Sequence, residues 1–314
     1  MANASINEHS RESHWRVRVP ATTANLGPGF DCFGLALRRY LTLDVERLDA
    51  PGVEITLSGQ GADSLPRDEN NLVYRSFLWG GAGKTQSLPG VRMHVNNEIP
   101  LARGQGSSAA ATVAGLAAQH LLRTGVIDTD ALINLGTAME GHPDNVAPAI
   151  MGGLVLSRQE SDGTFAVRPI PTANELQFIL AVPDFTLNTS DARKVLPFDV
   201  QHADAVFNVR AAAWMAASWV AGDWESVGEA MDDRLHQPYR ARLIPGFHEV
   251  CHAAREAGGL GACLSGAGPT IIAITLADPE SIGQAMRDAW LRHGITSEYV
   301  VTTVDTEGLI VKRR

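Results

Sequence analysis

Pro100-Leu101-Ala102-Arg103-Gly104-Gln105-Gly106-Ser107-Ser108-Ala109-Ala110-Ala111 is the stretch on which the reading of this chain turns. The run at 91–95 before it alternates apolar and polar residues and predicts a strand. The run at 107–124 after it is rich in alanine, ends at Gly125, and predicts a helix with a glycine stop. A glycine-rich turn between a strand and a helix N-terminus makes an anion site. Glycines let the backbone approach a ligand, several N–H groups converge, and the helix end adds partial positive charge. Ser107 and Ser108 add two hydroxyls. The same residues would serve equally as a plain capped turn, so the loop alone does not assign a function. No Gly-Lys-Ser/Thr follows, which excludes a Walker A loop, and the third glycine of the dinucleotide fingerprint is missing.

Outward from the loop, strands are predicted at 15–20, 41–47 and 53–57 on one side and at 154–157, 166–170 and 177–182 on the other. A helix follows Asn71, with Val73 and Phe77 on one face, before a glycine-rich turn at 80–83. Further helices are predicted at 130–139, capped by Asp128 or Thr129, and at 204–220, 224–235 and 281–293. Leu264 and residues 271–275 read as strands around a glycine turn, and 297–304 as a final strand. The closing Lys312-Arg313-Arg314 reads as a solvated tail. Strands and helices in mixed order, without strict β-α-β alternation, predict an α+β fold. A chain of 314 residues suits about two domains. The expected partition is a polar tail over 1–14, a first domain over 15–160 and a second over 161–314, parted near the polar stretch SRQESDGT at 157–164.

Composition narrows the function classes. The chain holds 26 basic and 35 acidic residues, a net charge of −9, and no basic run outside its last three residues. Phosphate attraction needs a basic face, so nucleic acid and anionic membranes are poor partners. Two uncharged stretches, 104–122 and 257–277, are long enough to be weighed as membrane spans. Polar residues in the first and five glycines with Pro269 in the second exclude both. The first fifteen residues have no apolar segment, so no secretory signal is read there. Cys32, Cys251 and Cys263 show no paired or metal-ligand spacing and read as thiols of a reducing, cytoplasmic compartment.

Three further clusters change what the glycine loop means. Residues 19–31, Val-Pro-Ala-Thr-Thr-Ala-Asn-Leu-Gly-Pro-Gly-Phe-Asp, fix a loop presenting Asn25 and Asp31. Glu140-Gly141-His142-Pro143-Asp144-Asn145 packs four polar side chains around a glycine and a proline at a helix end, a corner that is costly unless used. Leu264-Ser265-Gly266-Ala267-Gly268-Pro269-Thr270 is another glycine turn between apolar segments.

Together and in this order, these segments resemble the GHMP kinase superfamily of galactokinases, homoserine kinases, mevalonate kinases and phosphomevalonate kinases. The finer resemblance is to the homoserine kinases. It is carried by residues 21–31, by 140–145, and by the paired segments 190–197 and 236–246, SDARKVLP and HQPYRARLIPG. One departure is visible: the family usually has leucine between the two loop glycines, where this chain has Gln105.

The resemblance implies an N-terminal domain similar to ribosomal protein S5 domain 2 and a C-terminal ferredoxin-like domain, with ATP and substrate meeting between them. It implies phosphoryl transfer from Mg·ATP to L-homoserine, giving O-phospho-L-homoserine and ADP on the way to threonine. The ATP phosphates are then expected on Pro100, Leu101, Ala102, Arg103, Gly104, Gln105, Gly106, Ser107, Ser108, Ala109 and Ala110. Glu140 with Ser107 or Ser108, the latter favoured, is expected to hold Mg²⁺, which needs only one or two protein oxygens beside phosphate and water.

Substrate chemistry distributes the other roles. A carboxylate suits a bidentate guanidinium, for which Arg193 and Arg240 are the candidates, with Arg242 as the fallback for Arg240. An ammonium suits Asp31 or Asp144, while Asn25, His142 and Asn145 would orient the hydroxyl or the substrate backbone. Glu140, His142 and Asn145 form the expected catalytic group. Mevalonate kinases add an aspartate base near the attacking hydroxyl. The comparable corner here ends in the amide Asn145, so catalysis by positioning and charge stabilisation is expected. Asn71 reads as a helix cap, with an adenine contact as its other use. The expected partner is the small-molecule substrate, with a homodimer allowed for. A kinase for mevalonate or another small alcohol is the nearest rival. A non-catalytic sensor on the same fold is a second, and Glu140 with both loop serines argues against it.

Overall fold

The computed structural model describes residues 14–81, 90–172 and 175–314. Residues 1–13 of the expected N-terminal tail and the end of the predicted glycine turn, Ala82 and Gly83, lie outside them, and His14, the last residue of that tail, belongs to the first strand. The alternating runs near the N-terminus form a long hairpin of β1 (His14–Ala24) and β2 (Phe33–Leu48). It is paired antiparallel from His14 opposite Glu46 to Ala24 opposite Gly34, with a register shift at Pro20/Ala21. Both strands run past the alternation because residues 19–24 and 33–37 are buried on both faces, which erases the period-2 signal. In chain order come β3 (Val53–Gly59), α1 (Leu72–Gly81), β4 (Gly90–Asn97), α2 (Ser107–Thr124), α3 (Thr129–Glu140), α4 (Val146–Met151), β5 (Leu154–Gln159), β6 (Phe165–Ile170) and β7 (Gln177–Pro183). Then follow α5 (Thr189–Lys194), α6 (His202–Ala221), α7 (Trp224–Glu229), α8 (Gln237–Arg240), α9 (Phe247–Glu256), β8 (Gly261–Leu264), β9 (Ile271–Thr275), α10 (Pro279–Arg292), β10 (Ser297–Thr303) and β11 (Ile310–Arg313).

The strands make two sheets, as expected of an α+β fold. The first runs β11-β1-β2-β4-β3, with β5 and β6 continuing from the Phe33 end of β2. The second runs β10-β7-β9-β8, antiparallel throughout, the 4-1-3-2 order of a ferredoxin-like unit. The helix that carries the glycine loop, α2, is buried from Ala109 to Leu121. Its small residues permit that depth. Gly115 lies so close to the Val73 carbonyl of α1 that a Cβ would collide with it. Such packing locks the start of α2, and with it the loop, into the first core.

Several expectations need correction. The helix predicted over 224–235 stops at Glu229, because the Asp233 carboxylate draws in the backbone amides of Leu235, His236 and Gln237 and folds that segment into a turn. The polar stretch at 157–164 is a hairpin joining β5 to β6 inside the first sheet, not a linker between sheets. The basic C-terminus is no loose tail: β11 pairs with β1, Trp15 opposite Arg313. Gly80 and Gly81 close α1 and do not turn. Asn71 is the helix cap, accepting from the Val73 amide at 3.0 Å. A missed helix, α9, has the plain amphipathic spacing Phe247, Val250, Cys251 and Ala254 on its buried face. Cys251 and Cys263 are buried, Cys32 is half-buried, and all three are free thiols. Among the described residues no helix is long and apolar enough to cross a membrane.

Candidate active site

The glycine loop sits where the two sheets meet, and its carbonyls are tied away from the cleft. Gln105 O accepts from the Thr22 amide at 3.2 Å, Ala102 O from the Leu187 amide at 3.1 Å, and Gly104 O from Ser265 Oγ at 2.7 Å. No backbone N–H from Gly104 to Ala109 donates to a carbonyl of the described residues. The loop therefore offers a row of unpaired donors at a helix N-terminus, the electrostatic condition for holding phosphate. Gly104 and Gly106 make this possible. Both have positive φ, 73° and 68°, and a Cβ on either would meet Ser265 O or Thr22 Oγ1.

Glu140, at the C-terminus of α3, faces this loop. Its Oε1 accepts from Ser108 Oγ at 2.8 Å and from Thr112 Oγ1 at 2.9 Å. Thr112 was not read from the sequence, although it stands one turn beyond Ser108 on the same helix face. Ser107 points elsewhere, its hydroxyl donating to Ile99 O at 3.4 Å. Of the two serines, Ser108 is the one that meets Glu140.

The corner after Glu140 is a chain of contacts. His142 Nδ1 and Asp144 Oδ1 are 2.7 Å apart, and Asn145 Nδ2 donates to the same oxygen at 3.5 Å. Thr22 Oγ1 donates to Asn145 Oδ1 at 2.8 Å. Burial works against charge on His142, but the hydrogen bond and negative charge of Asp144 outweigh it, so the pKa is raised.

Opposite stands the cationic wall. Arg193, from the last turn of α5, holds Asp31 with both arms, Nη2 to Oδ1 at 2.7 Å and Nη1 to Oδ2 at 3.1 Å. Asp31 is itself set by its amide donating to Asn25 Oδ1 at 3.0 Å, while Asn25 Nδ2 donates to Gly266 O at 3.0 Å. Arg240 is 2% exposed. Its Nε donates to Ala192 O at 3.2 Å, and its Nη1 to Gly266 O at 3.1 Å and to His236 Nδ1 at 3.2 Å. Both guanidiniums lie by the Phe30 ring, 5.7 Å for Arg193 and 5.2 Å for Arg240, and His236 stacks on that ring at 5.1 Å. Burial and the neighbouring Arg193 bring the Arg240 pKa down to about 10.

The fold thus brings Asn25, Asp31, Glu140, His142, Asp144, Asn145, Arg193 and Arg240 to one cleft with the loop. Thr189 joins them without any signal in the sequence reading. Arg242 is not on the cleft wall and lies by the Tyr239 ring at 5.9 Å. Within the loop, Arg103 turns its guanidinium to the carbonyls of Pro183 and Asp184, so it braces the loop against β7. Ala110 is packed in the core. Gln105 is 1% exposed and directs its amide to Thr270 Oγ1 at 3.4 Å and to Arg39 at 3.5 Å. Leu101 faces a second, mostly apolar cavity of about 210 Å³ that also touches Leu41, Leu65, Val95 and Ser108.

Known proteins are similar to this chain in sequence and in fold. The model for the GHMP kinases N terminal domain matches residues 71–153, and that for GHMP kinases C terminal matches residues 215–293. A homoserine kinase of Moorella thermoacetica is 44% identical over 279 residues, which is 89% of this chain and 93% of that protein. Another, of Desulfitobacterium hafniense, is 40% identical across 94% of this chain and 99% of its own length. The crystal structure of homoserine kinase from Cytophaga hutchinsonii superposes with a TM-score of 0.85 at 32% identity, covering 99% of this chain and 100% of that one. With identity at this level over nearly the whole length, and the same fold, the chain belongs to the GHMP kinases and, within them, to the homoserine kinase family.

Proposed function

We propose that the chain phosphorylates the terminal hydroxyl of L-homoserine, moving the γ-phosphoryl group of ATP onto it and releasing O-phospho-L-homoserine and ADP. One observation carries the reading: Arg240 is a buried cation beside the phosphate loop with no carboxylate among its hydrogen-bond partners. A buried charge is expensive unless paired, and at neutral pH a guanidinium with a pKa near 10 keeps its charge. The anion that completes it is the substrate carboxylate, whose planar fork matches the guanidinium. Arg193, by the same Phe30 ring, supplies the second guanidinium. Asp31 takes the ammonium, since Asp144 is occupied in orienting His142. These contacts leave the terminal hydroxyl pointing towards the loop donors.

The chain's own residues then act by position and charge. Each carboxylate of the cleft is committed, Asp31 to Arg193, Asp144 to His142 and Glu140 to two hydroxyls, so none stands ready as a general base. His142 carries a raised pKa and acts as a donor towards the hydroxyl and the transferring group. A loose phosphoryl transition state needs little prior deprotonation of the alcohol.

Ser108 and Glu140 form a pair of hard oxygen donors at the loop, which fits Mg²⁺ held mainly through phosphate and water. Among the described residues no cluster of three metal-ligating side chains competes with that reading. When bound, Mg·ATP supplies the phosphoryl group, and the metal offsets its charge. The apolar cavity at Leu101 is the place for the adenine ring. A coupled ADP-release assay over homoserine, serine, threonine and mevalonate tests the whole reading. Turnover with homoserine far above the others is expected, and faster turnover with mevalonate would replace this function with its rival.

A further inference from the structure

We propose that the outward face of α6 is a self-pairing surface, on which a second copy of this chain packs antiparallel about a twofold axis at Ala213. Of the twenty residues of α6, only His202, Asp204, Asn208, Arg210 and Ser218 are polar, so the helix is apolar on nearly every side. A helix of that kind is normally covered all round. This one is covered on one side. Its inner face is engaged: Met215 and Trp219 lie in the first core, and Asn208 Nδ2 donates to Pro28 O at 3.3 Å and to Asp233 Oδ1 at 2.8 Å. The outer face carries Val209, Ala213, Trp214, Ala217 and Val220, all exposed, with Val206 half-buried at one end. Trp214 is 61% exposed, and Val209 and Val220 are 70% and 65% exposed. Val200 and the fully exposed Phe198 stand just ahead of the helix.

Spacing, size and charge select a copy of the chain as the occupant. Val206, Val209, Ala213, Ala217 and Val220 follow one another at intervals of three, four, four and three residues and form one stripe. That order of intervals is the same from either end. Turned about Ala213, the stripe sets Val206 against the partner's Val220, Val209 against the partner's Ala217, and Ala213 against itself. Each valine meets a residue of its own size or smaller, and the central alanines let the two helices approach closely. Such an isologous contact closes as a dimer. Within α6 the outward ionisable residues, His202 and Arg210, stand in the N-terminal half, while Asp223 and Glu225 follow its C-terminus, all four exposed. Antiparallel pairing turns these unlike charges, and the unlike ends of the two helix dipoles, towards each other. Area agrees. Taking about 150–250 Å² for a whole aromatic side chain, Trp214 and Phe198 alone expose on the order of 300 Å². A monomer rarely leaves more than a few hundred Å² of contiguous apolar surface, and a standard interface takes about 800 Å² from each partner. The valines and alanines of the stripe carry the face beyond the first figure and towards the second.

Sedimentation velocity of the full chain at micromolar concentrations tests the proposal, in the native form and as Ala213→Glu. The native chain should sediment as a dimer, at twice the chain mass of 33.6 kDa. Ala213→Glu should sediment as a monomer with an unchanged circular dichroism spectrum, because glutamate suits an exposed helix position but would bury two like charges at the axis. Cysteine substitutions read the register without requiring any loss. Under oxidation Ala213→Cys should give a disulfide-linked dimer, since residue 213 meets itself. Val206→Cys alone should not, and Val206→Cys combined with Val220→Cys should. The native chain, whose Cys251 and Cys263 are buried, is the control. A native chain that sediments as a monomer overturns the proposal and leaves the face to a different protein. A dimer that persists in Ala213→Glu, or Ala213→Cys that fails to cross-link, puts self-association elsewhere and overturns it as well. If Ala213→Glu fails to fold, the cysteine variants decide alone.

Discussion

His236 offers Arg240 a lone pair: Nδ1 of the buried imidazole accepts from Nη1 of the guanidinium at 3.2 Å, while its Nε2 lies 2.8 Å from the Gly27 carbonyl. Arginine can only donate, so Nδ1 is the unprotonated nitrogen and Nε2–H donates to Gly27. Burial, the largest influence on His236, keeps the ring neutral. The imidazole thus joins the loop that carries Asn25 and Asp31 to the arginine assigned to the substrate carboxylate.

His236 is accordingly a positioning residue with two separable halves. Asn in its place presents an acceptor near the position of Nδ1, whereas Gln presents a donor near that of Nε2. His236→Gln should raise the KM for homoserine about tenfold or more, with the KM for ATP within a few-fold, as expected when a hydrogen bond to a charged group worth about 1.5–3 kcal/mol is lost. His236→Asn should recover part of that KM. Steady-state kinetics of both variants decide it, and equal damage to both would mark the residue as a core histidine only.

Arg240→Leu should raise the KM for homoserine strongly and leave the KM for ATP within a few-fold. Truncating one member of a desolvated charge pair costs roughly 2–5 kcal/mol, on the order of 30- to several-thousand-fold in kcat/KM. Arg193→Leu should behave similarly, and the double variant should be less than additive because both arginines hold one carboxylate. The control is 3-aminopropanol, on which Arg240→Leu should make little difference. Equal losses on both alcohols would move Arg240 to the phosphoryl group or to folding.

Glu140→Ala should lower kcat by at least about 10²-fold with little effect on homoserine binding, by analogy with single electrostatic contacts in other active sites. The basis is the carboxylate bonded to Ser108 and Thr112 at the loop. Initial rates across a Mg²⁺ titration test it. A variant with near-native kcat would remove Glu140 from the metal site.

Gln105→Leu should be nearly neutral for ATP binding, because the side chain is turned to Thr270 and Arg39 while the loop's N–H groups face the cleft. A change of more than a few-fold in the KM for ATP would show that the amide touches nucleotide.

The His142–Asp144 pair predicts a pH dependence of stability. The folded pKa of His142 is raised, so its contribution is fully present below the unfolded value of about 6.5 and fades as pH rises through the folded value. Thermal melts of the native chain and Asp144→Asn should differ most near pH 6 and converge in mild alkali. A gap that widens with pH would contradict the assignment.

Local chemistry is what the sequence determined. The phosphate loop was legible because strand alternation, glycines and an alanine-rich run act within a few residues of one another, and α2 begins and ends where that pattern places it. The polar corner at 140–145 and the two arginine segments were legible through resemblance. Helix α9 is also legible, from the spacing of Phe247, Val250, Cys251 and Ala254. Other features had no local signal. Strand residues buried on both faces do not alternate, so β1 and β2 looked shorter than they are. The turn at 230–236 looked helical because its competitor is a side chain, Asp233, which gathers three backbone amides.

Only the tertiary structure decided which charges meet. Arg193 and Asp31 are 162 residues apart along the chain, and the sequence reading assigned them separate tasks. Folding sets them against each other and leaves Arg240, equally cationic in sequence, buried with no carboxylate among its hydrogen-bond partners. It also joins β11 to β1, so the basic C-terminus closes the first sheet. Charge, size and helix propensity belong to residues and can be read along the chain. Pairing depends on distance and desolvation, and those exist only once elements far apart in sequence have packed together.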